Sequence, residues 1–201
     1  MIEIILLLIA SYLLGSIPGG ILIGKLFYKT DIREHGSGNS GASNAWRVLG
    51  WKAGVGAFLI DFLKGTLAFS LPAIFNVAIP GIIFGVLAII GHVYPIFAGF
   101  KGGKAVATSA GVAFAYSPLF LFINFPVIFF IVLYLTSTIS ISSIVAITTA
   151  LIFSFFLNDW LFVLFVFLIW LFIIYRHKDN IKRIKDGTES KVSWGLGSKN
   201  K

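Results

Sequence analysis

From Gly65 to Phe100 the chain carries no charged residue, and from Ala105 to Tyr175 it carries only Asp159. A water-soluble fold of 201 residues cannot hide so much Phe, Leu and Ile. Only 12% of the residues are charged, against about 25% in ordinary soluble domains. The chain therefore reads as an integral membrane protein. Backbone groups in lipid must be paired internally, which leaves helices or a closed barrel. These unbroken runs lack the polar alternation of barrel strands. The expected fold is all-α: a polytopic membrane helix bundle, one transmembrane domain over residues 1–201.

A hydrocarbon core about 30 Å thick takes about 20 helical residues. On that measure the pattern predicts seven transmembrane helices, roughly 3–27, 50–71, 76–98, 104–116, 119–136, 141–157 and 159–176. Six spans and a re-entrant piece also fit, because the fourth run is short. Ser117-Pro118 and Asn158-Asp159 supply breaks. The first run reads as a retained helix, since its only early charge is Glu3 and no positive segment precedes it. The chain has no cysteine, so thiolate chemistry and disulfides are excluded.

Basic residues set the orientation. Lys25, Lys29, Arg33, Arg47 and Lys52 lie in or beside the first loop, and Lys101 and Lys104 between spans three and four. Arg176, Lys178, Lys182, Arg183, Lys185, Lys191, Lys199 and Lys201 form the basic tail, residues 176–201. Positive residues stay on the cytoplasmic side, so the N-terminus is expected outside and the C-terminus in the cytoplasm. The net charge of +8 is first a topology signal, and second an attraction to anionic lipid. Spread over three segments beside the bilayer, it gives no support for a nucleic-acid partner.

Three polar segments then share the cytoplasmic surface. The first, HGSGNSGASNAWR at 35–47, contains no Leu, Ile, Val or Phe. Its glycines Gly38 and Gly41 permit close backbone approach, and successive N–H groups can converge on an anion. Ser37, Asn39 and Asn44 add polar contacts, and Arg47 can grip phosphate with two donors. The same composition also suits a plain surface loop. The second, FKGGKAVATSAG at 100–111, sets Gly102, Gly103 and Lys104 before an apolar helix, where N–H groups and the dipole favour phosphate. It lacks the Walker A pattern, and an ordinary interfacial Lys beside turn glycines reads as well. The third, RHKDNIKRIKDGTES at 176–190, carries His177, Asn180, Arg183 and Glu189. His177 can orient phosphate or take a proton near neutral pH. A solvated basic tail is the plainer alternative.

Asp61 and Lys64 fall inside the second span at i and i+3, where ionisable groups are costly and usually paired or functional. A structural ion pair bracing the first loop is preferred to a proton relay. His92 reads as a hydrogen-bonded interhelical residue, and His35 as simply polar. No metal pattern is present, no acidic cluster offers to hold magnesium, and no cofactor is implied. The polar chemistry suits an anion, and the rest of the surface suits lipid. A molecule with a phosphate-like head and an oily tail fits both.

In that order, GSGNSGASNAWR, FKGGKAVAT and RHKDNIKRIKDGTE resemble the three signature stretches of the bacterial acyl-phosphate-dependent glycerol-3-phosphate acyltransferase family. The resemblance covers nearly the whole chain. Ala105 stands where the family pattern has Gly. ISISSI at 139–144 resembles a further stretch, but Ser137 stands near a position expected to be basic. The HxxxxD box of soluble-domain acyltransferases is missing, because His35, His92 and His177 are followed five residues on by Ser40, Phe97 and Lys182.

The resemblance implies a reaction in the inner (cytoplasmic) membrane: a fatty acyl phosphate acylates the 1-hydroxyl of glycerol 3-phosphate, giving lysophosphatidate and phosphate. It implies these roles. Ser37, Asn39, Asn44 and Arg47 hold phosphate groups, with Arg47 serving glycerol 3-phosphate. Gly102, Gly103 and Lys104 cradle the acyl-phosphate head. His177 and Asn180 complete the pocket, Glu189 braces it, and Ser143 adds a hydroxyl. The base is His177 or a substrate phosphate oxygen, with the latter preferred. The alternative from another class is a small anion or phosphate transporter, which would need polar groups continuing across the apolar runs.

Overall fold

The computed structural model describes residues 1–119 and 123–198. Leu121, within the expected fifth helix, and Lys199 and Lys201 of the expected basic tail lie outside the described residues. Among the described residues the structure is helical and has no strand. The chain divides into two compact units, Met1–Ser117 and Pro118–Lys201.

The first unit holds α1 (Ile2–Gly15), α2 (Gly19–Tyr28), α3 (Ala42–Leu49), α4 (Trp51–Ile74), α5 (Gly81–Val93) and α6 (Val106–Tyr116). The central helix is α4, which packs against the other five. Its faces are sorted. Val55, Leu59, Leu63 and Leu67 recur every fourth residue and are exposed, an apolar stripe suited to lipid. Ala53, Ala57, Asp61, Lys64, Ala68 and Leu71 point inward and are buried. Small residues let the helices touch: a Cβ on Gly65 would strike the Thr108 carbonyl of α6, and one on Gly15 the Ala88 carbonyl of α5.

The first apolar run differs from the single straight helix expected over 3–27. It is two helices, α1 and α2, bent by 53°. Pro18 is the physical reason, since it has no N–H to continue the ladder and stands just before α2. The backbone groups freed there find side chains from α4. Lys64 Nζ donates to the Ile17 carbonyl at 2.6 Å, and Gly19 N–H donates to Asp61 Oδ1 at 3.4 Å.

A second difference is α3, which takes residues expected to remain loop. Ala45 and Asn44 are buried on one face while Ser43 and Arg47 are exposed on the other, so the short helix lies with its small residues inward. It packs on α4 with Trp46 covering Gly54.

The second unit holds α7 (Ile128–Thr136), entered through a π-helical turn at Ile123–Val127, then α8 (Ile139–Ser154), α9 (Trp160–Arg176) and α10 (Lys178–Lys185). Asp159 caps α9 by accepting from Phe162 N–H at 3.1 Å. Trp170 Nε1 donates to Thr148 Oγ1 at 2.9 Å and ties α9 to α8. A 55° bend at His177 turns the apolar α9 into the basic α10. The chain beyond α10 returns to the α7–α8 turn, where Val192 N–H donates to the Ser137 carbonyl at 2.8 Å.

Among the described residues three helical segments are long and apolar enough to cross a membrane, Trp51–Ile74, Gly81–Ala98 and Ile139–Leu157, and up to five if each bent pair counts as one span. Val106–Tyr116 and Phe125–Thr136 are shorter apolar helices.

Candidate active site

The polar segment before α3 is organised around one buried carboxamide. Asn44 Nδ2 donates to the carbonyls of Ile32 at 2.7 Å and His35 at 3.1 Å, while its Oδ1 accepts from Ser37 N–H at 2.9 Å. All three bonds serve the backbone of the segment itself. Asn44 therefore shapes the loop, and both of its amide hydrogens are taken by that role. Asn39 does the same on a smaller scale, since its Oδ1 accepts from Gly41 N–H at 3.0 Å. Gly38 has φ +70°, a left-handed conformation that an L side chain resists. What this frame displays is the Ser37 hydroxyl, Gly38 and the Arg47 guanidinium, all exposed.

The same unit brings the second polar segment to the first. Arg33 Nη1 donates to the Ala98 carbonyl at 2.9 Å, across 65 positions of sequence. Asp31 fixes that guanidinium from behind, through Nε at 3.0 Å and Nη2 at 2.7 Å. The hydrogen bonds from Arg33 hold the Asp31 carboxyl down to about 2. Neither residue was singled out as part of a site from the sequence. The only signal was their spacing at i and i+2 beside a glycine-rich loop, which many surface pairs share.

Beyond Ala98 the chain folds back on the end of α5. Gly102 N–H donates to the Val93 carbonyl at 3.1 Å and Gly103 N–H to the His92 carbonyl at 3.2 Å. Ala105 follows with φ +66° and opens α6. An α-helix leaves its first N–H groups without intrahelical partners, and its dipole favours an anion there. Lys104, half-buried, stands at that end. One cation thus stands beside a helix N-terminus, a chemistry that suits a phosphate-like group.

Inside this unit Asp61, Lys64 and His92 are buried together, with Lys64 Nζ 2.6 Å and His92 Nδ1 3.4 Å from Asp61 Oδ1. Asp61 and Lys64 are thus an ion pair that braces the α1–α2 break, with His92 beside it.

The third polar segment and Ser143 belong to the second unit. Half-buried Glu189, its side chain largely covered, is its hub: Oε1 accepts from Asn180 Nδ2 at 2.6 Å and Ser140 Oγ at 2.9 Å, and Oε2 from Arg183 Nε at 2.6 Å. Burial pushes this carboxyl up, and the three donors more than offset it, so it stays below the usual carboxylate range. Ser140 was not singled out from sequence; it is one of several serines in ISISSI, and only the fold says which faces Glu189. Ser143 Oγ donates along its own helix to the Ile139 carbonyl at 3.0 Å. His177 is buried, with Nδ1 2.8 Å from the Ile173 carbonyl. A carbonyl only accepts, so Nδ1 carries a hydrogen, and in the neutral form of the ring the lone pair is on Nε2.

A family profile described as glycerol-3-phosphate acyltransferase matches residues 5–187. A glycerol-3-phosphate acyltransferase of Streptococcus pneumoniae (strain CGSP14) is 54% identical over 202 residues, covering 96% of this chain and 94% of its own. The crystal structure of PlsY (YgiH), an integral membrane glycerol 3-phosphate acyltransferase, in its glycerol 3-phosphate form, has a TM-score of 0.86 at 39% identity, covering 94% of both chains. The lysphosphatidic acid form of PlsY has a TM-score of 0.82 at 39% identity, covering 93% of this chain and 94% of its own.

Proposed function

The chain belongs to the glycerol-3-phosphate acyltransferase family, and on that premise we propose how it works and where. It is a multi-pass membrane acyltransferase that acylates glycerol 3-phosphate. The donor is a fatty acyl phosphate. The 1-hydroxyl oxygen of glycerol 3-phosphate attacks the acyl carbonyl carbon, the carbon–oxygen bond to phosphate breaks, and inorganic phosphate leaves. The hydroxyl proton passes to a substrate phosphate oxygen. The lipid product is 1-acyl-sn-glycerol 3-phosphate, the first intermediate of phospholipid synthesis. Enzyme family membership replaces the transporter alternative.

Acyl phosphate is already activated, so the protein need form no covalent intermediate. Its task is to bring two anions together and align hydroxyl with carbonyl. Positioning supplies up to about 7–11 kcal/mol in good cases, and cations at the departing phosphate add to it. In this reading Arg47 and Ser37 serve glycerol 3-phosphate, and Lys104 with the Gly102–Gly103 turn serves the acyl-phosphate head. From the second unit the reading takes His177 and Asn180 as further groups for the anionic substrates, with Glu189 orienting Asn180.

The observation that carries the reading is the Arg33–Ala98 tether. It joins the segment bearing Arg47 to the segment bearing Lys104, so the two segments to which this reading gives phosphate binding lie in one unit.

For topology we infer seven membrane segments: the bent pair α1–α2, then α4, α5, α6, α7, α8 and α9. The N-terminus lies outside, the basic tail inside, and the reaction proceeds on the cytoplasmic side of the inner membrane. The deciding experiment supplies detergent-purified protein with labelled glycerol 3-phosphate and palmitoyl phosphate, with palmitoyl-CoA as comparison donor. Lysophosphatidate from the phosphate donor alone is expected. Formation from the thioester alone overturns the assignment of the donor.

A further inference from the structure

Asp61, Lys64 and His92 are 1%, 5% and 6% exposed. Charges this far from solvent cost several kcal/mol to desolvate, and a buried pair is weak evidence for stability. The role of the network therefore lies in what it holds. On one side it holds the α1–α2 break, through Ile17 and Gly19. On the other it meets the Gly102–Gly103–Lys104 turn. The His92 carbonyl accepts from Gly103 N–H at 3.2 Å. The His92 imidazole fills the place a side chain at Gly103 would take: the three heavy atoms nearest an added Cβ are Nε2, Cε1 and Cδ2 of that ring.

We propose that Asp61, Lys64 and His92 form a positioning device for the phosphate-holding turn. Lys64 fixes the Asp61 carboxylate, whose Oδ1 lies 3.4 Å from His92 Nδ1 and confines that edge of the ring, and the opposite edge seats Gly103 and so places Lys104. Glycine is required at 103 because the imidazole has taken its space. His92 touches no reacting atom and acts through the turn. The inference rests on the reading of that turn as a phosphate site of the acyltransferase.

The test uses full-length protein and steady-state kinetics in both substrates for His92→Ala, His92→Asn, Gly103→Ala and the double variant His92→Ala/Gly103→Ala. Asn offers Nδ2 where the ring has Nδ1. A misplaced turn costs about a hundredfold in kcat/KM for Gly103→Ala, and about tenfold in KM for His92→Ala with kcat moved less. His92→Asn recovers most of the lost KM. The double variant is no worse than His92→Ala alone, because removing the ring makes room for the new methyl group, a non-additivity expected only of residues in contact. Additive losses overturn the proposal, as does a His92→Ala enzyme that melts earlier with both KM values unchanged. If His92→Ala does not fold, Asp61→Asn and His92→Asn carry the test: a raised KM for Asp61→Asn supports it and a wild-type KM overturns it. Wild-type protein that forms no lysophosphatidate removes the function itself, whereas an active wild type with additive variants removes only this inference.

Discussion

Arg33 reaches the Ala98 carbonyl with Nη1 while Asp31 holds the other side of its guanidinium at 2.7 and 3.0 Å. One planar cation thus joins two loops. Lys cannot copy this, because an ammonium is a point donor and the geometry uses a fork. Arg33→Lys is expected to lower kcat/KM about tenfold and Arg33→Ala about a hundredfold, through displacement of the Lys104 turn. Kinetics on purified protein check this. Wild-type values for Arg33→Ala would show that the tether does not position the turn.

The Asp31 carboxyl sits at about 2, against an ordinary value of 3.8. A depressed carboxyl favours the folded state above its unfolded value, and that contribution fades as pH falls toward the folded one. Below both values the group is protonated in either state and contributes nothing. Asp31→Asn is therefore expected to weaken the protein at neutral pH and to lose less stability than wild type between about pH 4 and pH 2. Thermal unfolding in an acid-stable detergent across that interval measures it. Parallel acid profiles for the two proteins would count against the ion pair as a stabilising element.

Glu189 accepts from three donors on two helices of the second unit: Ser140 of α8, and Asn180 and Arg183 of α10. Glu189→Gln keeps the shape but replaces one acceptor oxygen with an amide donor and leaves Arg183 without its counter-charge. Hydrogen bonds to charged groups are worth about 1.5–3 kcal/mol each, so a clear drop in melting temperature is expected, with activity falling alongside. Ser140→Ala removes one of these donors to the carboxylate and is expected to cost about 1.5–3 kcal/mol. Equal melting temperatures for Glu189→Gln and wild type would remove Glu189 as the hub.

Much of this fold was legible from charge and apolar runs alone. The absence of charge from Gly65 to Phe100 marks membrane helices whatever their packing. The first run misled because its hydropathy is continuous across Pro18, and hydropathy does not register a missing N–H. The helix α3 was hidden for a related reason. Gly, Ser and Asn favour loops in isolation, whereas Ala45 and Trp46 gain burial only once α4 lies beneath them. The three motifs identified the family. Which of their polar side chains face a ligand and which build the loop depends on partners far away in sequence, as Asn44 shows. Ala105 repeats the point. Gly is the residue expected there, φ +66° is a conformation that suits it, and this chain places a methyl group in that conformation.

The proposed chemistry separates the cations from the imidazole. If a substrate phosphate oxygen takes the hydroxyl proton, His177 orients and does not carry out the proton transfer. Gln at 177 can still offer an amide to the Ile173 carbonyl, which His177 Nδ1 meets at 2.8 Å. His177→Gln is then expected to keep measurable turnover, with kcat down about tenfold to a hundredfold and a pH–rate profile shaped like wild type. Arg47→Ala and Lys104→Ala remove charge opposite the two phosphate groups and are expected to fall by about a thousandfold or more. Lysophosphatidate formation across about pH 5 to 8, the range over which a histidine base titrates, distinguishes the cases. Complete loss in both His177→Gln and His177→Ala, with glycerol 3-phosphate binding unchanged, would transfer the base role to His177, whose neutral Nε2 then receives the proton.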